Sequence, residues 1–385
     1  MNIKRSIGKR LHKVFGRKKK DQPVGPLTNL YQTNYDRTVL ISYLTTPFYK
    51  ANDFTHQNYL TSHIVAESFS ALGYNVDVVD YSDSSELNYD KYAVIFGMGK
   101  RMEQSFYEQN RHIPRVYFVT GAHDDLHNRM GLKSIKDFYA LSGLWLPEET
   151  NILTDCSYYT VFNADFAIIF ARGYIYEDYK SRFEQEIFSL NNNILNVFSD
   201  CKPKSAAGRS SGFLYLSGGK QLTKGLPLFL EVARLHKDLK FYVVVPDLNQ
   251  ALEDYYKDVF APEGNVSLFK NLRMDGKEMK AIVEACSYVV APSYIDGLPG
   301  GMIEPMSAGL VPIVSRYCGF PKQDFIFEME TLSVAGLQEM FARVLAMDDE
   351  AYINCSNAVK AYTQKNFSAA QVKEELIEIL KAKLS

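Results

Sequence analysis

The stretch that decides the fold runs from Ala291 to Cys318, APSYIDGLPGGMIEPMSAGLVPIVSRYC. Just before it, Tyr288–Ala291 is a short apolar, β-branched run of the kind a buried strand needs, and Pro292 ends it. A loop carries Ser293, Asp296 and Gly297, and Gly300-Gly301 lead into a short helix, Met302–Ala308, that bears Glu304. Ser307, Ala308 and Gly309 are small enough to let that helix pack closely before the next strand, Val311–Val314. Asp296 therefore faces a helix N-terminus, with Glu304 one to two turns further on. Two carboxylates so placed can grip vicinal sugar hydroxyls, while the loop N–H groups face anionic or polar oxygens. The plainer alternative makes Asp296 an N-cap and Glu304 a solvated helix residue.

Upstream the same alternation repeats. Strands are expected at Phe213–Leu216, Lys240–Val245 and Val266–Phe269, with helices at Leu226–His236 and Gly276–Cys286. Strand FLYL runs into Ser217-Gly218-Gly219-Lys220-Gln221-Leu222-Thr223-Lys224-Gly225 before a helix begins. Glycines admit a close ligand, a helix start offers N–H groups, and two lysines add positive charge; together these suit a diphosphate. A tight turn with solvated lysines is the alternative. The loop is not a Walker sequence, and no G-x-G-x-x-G follows the first strand of the chain.

The first half alternates as well, with strands expected at Arg37–Leu44, Asn75–Tyr81, Tyr92–Phe96, Arg115–Thr120 and Ala164–Phe170. A helix at His56–Leu72 ends at Gly73. The polar stretch Ser199–Gly212 breaks the rhythm and is the best domain boundary. The expected fold is α/β: two Rossmann-like, doubly wound parallel-sheet domains facing a central cleft, with ligands at the carboxyl ends of the strands. The organisation expected is a basic arm and linker over 1–26, a first domain over 27–205 and a second over 206–367. A Lys/Glu-rich amphipathic helix over 368–385 closes the chain.

Composition sets outer limits. A chain of 385 residues, 46% hydrophobic and 23% charged, suits two globular domains and excludes disorder as the main state. Five scattered cysteines without a C-x-x-C pair support neither a disulfide scaffold nor a zinc ribbon, and fit a reducing cytoplasm. The net charge of −2 conceals an asymmetry. Residues 1–20 hold nine Lys or Arg and no acid, which leaves 34 basic against 45 acidic residues in the rest, a balance of −11. Within the arm Ile3, Ile7, Leu11, Val14 and Phe15 recur at helical spacing, as an interfacial helix on an anionic bilayer requires; a disordered basic tail is the alternative. An acidic body argues against nucleic acid as partner. No apolar run approaches the ~18 residues of a membrane span.

With these motifs in hand, residues 213–318 resemble the donor-binding domain of retaining GT-B glycosyltransferases of the glycogen-synthase-like family (glycosyltransferase family 4, "glycosyl transferases group 1" type). That family's signature is Glu, seven residues, Glu, a small-residue helix and a V-P-I/V-V strand; here Asp296, seven residues, Glu304 and MSAGLVPIV stand in those places. The family's Gly-Arg and Lys-Gly after the first strand of the second domain correspond to Gly219-Lys220 and Lys224-Gly225. The resemblance implies a hexosyltransferase-type enzyme with a nucleoside-diphosphate sugar as donor and no metal or other cofactor. It implies that Lys224, with Lys220 in place of Arg, neutralises the diphosphate. It gives Glu304 the ribose, and gives Asp296 and the backbone of Gly297–Gly301 the transferred sugar. Gly218, Gly219, Gly225, Ser293, Leu298, Gly300, Gly301 and Met302 complete the expected donor site. Two departures stand out: Asp296 is one methylene shorter than Glu, and Pro299 removes one N–H from the loop.

In the first domain the strand RVYFVT leads into Gly121-Ala122-His123-Asp124-Asp125-Leu126-His127. The family often places a histidine there, near the reacting sugar, so His123 is the expected contact and the fourth catalytic candidate beside Asp296, Glu304 and Lys224. His123 and His127 with the two aspartates also form a candidate divalent-metal cluster, with helix capping the alternative. His56 and His63, seven apart, would share a helix face; surface polar residues with satisfied partners are the favoured reading, and lining of the acceptor cleft the alternative. The expected activity is retaining sugar transfer to a lipid-linked or polysaccharide acceptor, in the cytoplasm and peripheral on the inner face of the cell membrane through residues 1–20. A surface-polysaccharide role is suggested by low-Trp, Tyr/Asn/Lys-rich usage. The alternatives are a non-catalytic GT-B partner protein and a nucleotide-sugar epimerase.

Overall fold

The computed structural model describes residues 25–384 apart from Thr55, Asp155, Cys156, Pro203 and Ala207. The basic arm expected over residues 1–20 lies outside the described residues. Two sheets of six strands each organise the rest, and every pairing within them is parallel.

The first sheet holds β1 (Arg37–Tyr43), β2 (Tyr74–Asp80), β3 (Val94–Gly97), β4 (Arg115–Val119), β5 (Phe166–Ile169) and β6 (Glu186–Ser189), in the order β2-β1-β3-β4-β5-β6. The second holds β7 (Gly212–Leu216), β8 (Lys240–Val245), β9 (Val266–Lys270), β10 (Tyr288–Ala291), β11 (Val311–Ser315) and β12 (Phe327–Met329), in the order β12-β11-β10-β7-β8-β9. Helices cover both faces, so strands such as β1 (RTVLISY) are near-continuous apolar runs and not alternating ones. β6 and β12 escape a sequence reading because each is a short edge strand, EIFS and FEM, with no long apolar run.

Strand order reverses between β1 and β3 in one sheet and between β7 and β10 in the other. Ligands of such sheets bind where the carboxyl ends of the strands on either side of the reversal splay apart. In the second domain those ends are followed by Ser217-Gly218-Gly219 and by Pro292-Ser293, the loops singled out above.

The last helix, Ala369–Leu384, leaves the second domain and packs on helix Asn58–Ala71 of the first. Its Val372, Leu376 and Leu380 are buried with Ile64, Val65 and Phe69, and Lys373 pairs with Glu67 at 2.6 Å. No helix among the described residues is long and apolar enough to cross a membrane.

Candidate functional site

The domains touch through backbone as well as side chains. Leu298 N–H donates to the Phe170 carbonyl at 3.2 Å, and Arg172 N–H to the Gly319 carbonyl at 2.8 Å. The Asp296–Leu298 loop is thereby seated on the carboxyl ends of β4 and β5; a Cβ on Gly297 would lie 3.0 Å from the Thr120 carbonyl oxygen and 3.1 Å from that of Phe170. Gly225 is the second backbone requirement. Its φ of +78° starts helix Leu226–Leu235, and a Cβ there would stand 2.0 Å from the Pro292 carbonyl oxygen.

Two cavities meet in this cleft. The larger, about 1540 Å³, is lined mainly by the first domain, and the smaller, about 400 Å³, mainly by the second. Lys224 and Asp296 line both. Lys224 Nζ donates to Asp296 Oδ2 at 2.5 Å, and Asp296 Oδ1 accepts from Gly297 N–H at 3.0 Å, so the carboxylate is held on both oxygens. The smaller cavity opens onto Gly218, Gly219, Ser293 and the start of helix Gly300–Ser307, represented by Gly300, Gly301 and Met302. Val245, Asn271 and Met274 also line it. N–H groups at a helix start and one lysine face a common space, a setting that suits an anion.

Five expected site residues lie outside both cavities, one of them Gly225 in the backbone contact just described. Lys220, at φ +69°, sends Nζ to the Glu148 carbonyl at 2.5 Å and lines neither cavity. Leu298 is buried, with its carbonyl accepting from Asn192 Nδ2 at 2.9 Å. Glu304 is wholly buried: Oε1 accepts from Gln57 Nε2 at 3.2 Å and from Leu195 N–H on the segment joining the domains, while Oε2 has no partner. Burial pushes its carboxyl up to about 7, partly opposed by the N–H groups around it. Gln57 itself lines the smaller cavity, packed so closely on the helix start that a Cβ on Gly300 would meet its Oε1 at 1.9 Å. His123 caps helix Asp124–Ser142, its Nδ1 accepting from Asp125 N–H at 3.2 Å, and its ring lies edge-on to Tyr179.

Of the His123 and His127 pair, it is His127, one turn on, that lines the larger cavity with Lys224 and Asp296. Its Nε2 is 2.9 Å from the Asn151 carbonyl, so that nitrogen carries the proton, and burial, with the charge of Lys224, lowers its pKa. The sequence signal for it was present, an i, i+4 pair with His123, but which of the two points inward depends on where the helix begins. His56 lines the smaller cavity ahead of helix Asn58–Ala71, whereas His63 packs on Phe48 at 4.8 Å. The two do not share a face because the helix starts after His56. Glu149, unmarked in the sequence, reaches from the first domain to accept from Gln221 N–H at 2.6 Å inside the glycine-rich loop. Among the described residues no group of three or more His, Cys, Asp or Glu is placed to hold a metal ion.

No family model matches the chain, and no curated protein matches it. Solved structures do. Sucrose-phosphate synthase from Thermosynechococcus elongatus superposes with a TM-score of 0.60 at 14% identity, over 90% of this chain and 98% of that one. WaaG, a glycosyltransferase involved in lipopolysaccharide biosynthesis, gives 0.55 at 14% identity over 89% and 99%. Anabaena HepE, solved with UDP and glucose, gives 0.54 at 11% identity over 90% and 99%. At such identities the likeness is one of fold, and the fold is GT-B: two parallel α/β domains closed on a shared cleft.

Proposed function

We propose that this chain is a glycosyltransferase that moves a sugar from a nucleoside-diphosphate donor to a lipid-linked or glycan acceptor, with retention at the anomeric carbon. The observation that carries the reading is the Lys224–Asp296 pair at the junction of the two cavities, on loops following β7 and β10. The smaller cavity takes the donor. Its diphosphate lies against the start of helix Gly300–Ser307 and draws the Lys224 ammonium from Asp296, which is then available to accept hydroxyls of the sugar. As the bond from the anomeric carbon to the diphosphate breaks, Lys224 stabilises the charge that develops on the leaving group, an effect worth a few kcal/mol in such sites. Glu304, buried behind Gln57, would meet a ribose hydroxyl only once Gln57 Nε2 gives up Glu304 Oε1. The larger cavity takes the acceptor, with His127 and Asp124 on its wall.

A titration series of UDP, GDP, dTDP, CMP and NAD, read by thermal unfolding, tests the donor site. A nucleotide at ~100 times its dissociation constant adds about 2.7 kcal/mol to folding stability. One nucleoside diphosphate is expected to stabilise the wild type and not Lys224→Ala; stabilisation by none removes the donor site. The departure of Lys220 to Glu148 favours one rival, a GT-B protein that binds a nucleotide sugar without turnover. Release of nucleoside diphosphate from the cognate sugar nucleotide separates the two. The arm over residues 1–20 would hold the enzyme at the cytoplasmic face of an anionic membrane, and vesicle sedimentation with and without it tests that.

A further inference from the structure

The wall of the larger cavity ends in an unusual concentration of outward aromatic rings. Tyr107 lines the cavity and is 68% exposed, and Tyr159 beside it is 45% exposed, the two ring centres 5.0 Å apart and the planes tilted 57° to each other, so they form two adjoining facets and not one flat surface. Tyr158 and Phe162 continue the surface on the same short helix, stacked on each other at 6.3 Å. Exposed aromatic clusters of this kind are rare on a surface with no partner to meet.

Buried charge holds this surface in place. Arg115, fully buried, donates to Ser105, Asn110 and Ile113, so the loop bearing Tyr107 is tied to the end of β4. The same guanidinium lies 5.2 Å from the Phe106 ring, and Phe106 stacks on Tyr159. Glu103 accepts from Tyr159 N–H at 3.0 Å and Thr160 N–H at 2.9 Å, fixing the start of the helix that carries the rings. Arg101, also buried, bonds Asp83 at 2.9 Å and the Ser85 carbonyl, bracing the adjacent cavity loop. These bonds fix the backbone that carries the rings, which lowers the ordering cost of binding.

We propose that Tyr107 and Tyr159 form a stacking platform for the sugar rings of a neutral, multi-unit glycan acceptor whose end enters the larger cavity toward Asp296. This rests on the glycosyltransferase reading above and narrows its acceptor. Three observations select that occupant. Tyr107 itself lines the cavity that Lys224 and Asp296 line, and Tyr159 adjoins it at 5.0 Å, so a chain lying across the pair can extend toward the transfer site. The cavity, at about 1540 Å³, exceeds the ~300–1,000 Å³ of ordinary small-molecule pockets and has room for several sugar units. Charge weighs against the competing surfaces: Glu86, Glu103, Glu108 and Asp124 line the first-domain wall, against Lys100 and Arg101, with Glu103 bound to backbone N–H groups and Arg101 to Asp83. An anionic bilayer or a polyanionic acceptor would be repelled. The electron-rich ring faces instead suit the C–H faces of uncharged pyranoses.

The test is calorimetric titration of the full chain with maltohexaose, cellohexaose, mannohexaose and chitohexaose, each beside its disaccharide. Dioleoylphosphatidylcholine and phosphatidylglycerol vesicles serve as the membrane arm. At least one hexaose is expected to bind about tenfold more tightly than its disaccharide, and Tyr107→Ala with Tyr159→Ala to remove that advantage. Thermal midpoint and nucleotide stabilisation are expected to stay unchanged in the variant. Tyr159→Phe, which keeps the ring, should retain hexaose binding. Binding of no hexaose, equal binding of hexaose and disaccharide, or an unaffected double variant overturns the platform. So does a variant that loses vesicle binding alone, which would assign the rings to a membrane. Nucleotide stabilisation is read separately: its absence alongside length-dependent glycan binding sinks the transferase reading and not the platform.

Discussion

Glu304 and the two lysines show how much a single side chain's surroundings change its role. Glu304 carries its proton more readily in the folded chain than in the unfolded one, where an ordinary glutamate titrates near 4.5, because burial disfavours its charge and pushes it up to about 7. The folded state therefore binds more protons between those values, and stability falls as pH rises through that window. Wild-type stability should drop by something on the order of 3 kcal/mol from pH 4.5 to 7.5 relative to Glu304→Gln, which has no charge to bury. Denaturant titrations at several pH values measure it, and parallel pH curves for the two proteins would refute it. The lysines diverge similarly. Lys224→Ala should abolish nucleotide stabilisation, whereas Lys220→Ala should leave it nearly intact, since Lys220 Nζ is spent on the Glu148 carbonyl. Equal losses in the two variants would show that Lys220 swings into the site.

At the scale of elements, the glycine-rich turn after β7 works because its backbone meets that of the loop after β10. Gly225→Ala would place a Cβ 2.0 Å from the Pro292 carbonyl oxygen in a left-handed conformation. The conformation alone costs about 1–2 kcal/mol, and the carbonyl must also move. A loss above about 2 kcal/mol is expected in denaturant unfolding, together with weakened nucleotide binding, because Lys224 is the preceding residue. An alanine variant as stable as the wild type would mean the two loops are not locked together.

The whole molecule depends on its last helix. Removing residues 369–385 strips Val372, Leu376 and Leu380 from a core made by the first domain. At about 1.5–3 kcal/mol for each fully buried aliphatic side chain, the loss is comparable to the ~5–15 kcal/mol that stabilises a domain. The exposed Lys373–Glu67 pair adds little. Truncation should therefore unfold the first domain and leave the second protected, which hydrogen exchange resolves sheet by sheet. Uniform protection in the truncated chain would place the helix outside the folding unit.

Much of this architecture is legible in one dimension. Alternating apolar runs and helical spacing mark ten of the twelve strands, since parallel strands buried on both faces leave continuous hydrophobic stretches. The Asp296 loop and the glycines at 218, 219, 300 and 301 line the cleft and are legible because each acts within its own short stretch of chain, whereas Glu304, read from the same motif, is buried behind Gln57. Contacts between the domains, by contrast, exist only once the chain is folded. Gln57 meets Glu304 across 247 positions, and Lys220 meets Glu148 across 72. Whether His123 or His127 enters the cleft, and that Tyr107 and Tyr159 share one surface, depend likewise on where helices start and how distant loops are braced. Periodicity records which face of an element is apolar; it carries no information about which remote polar group completes a buried carboxylate or captures a lysine.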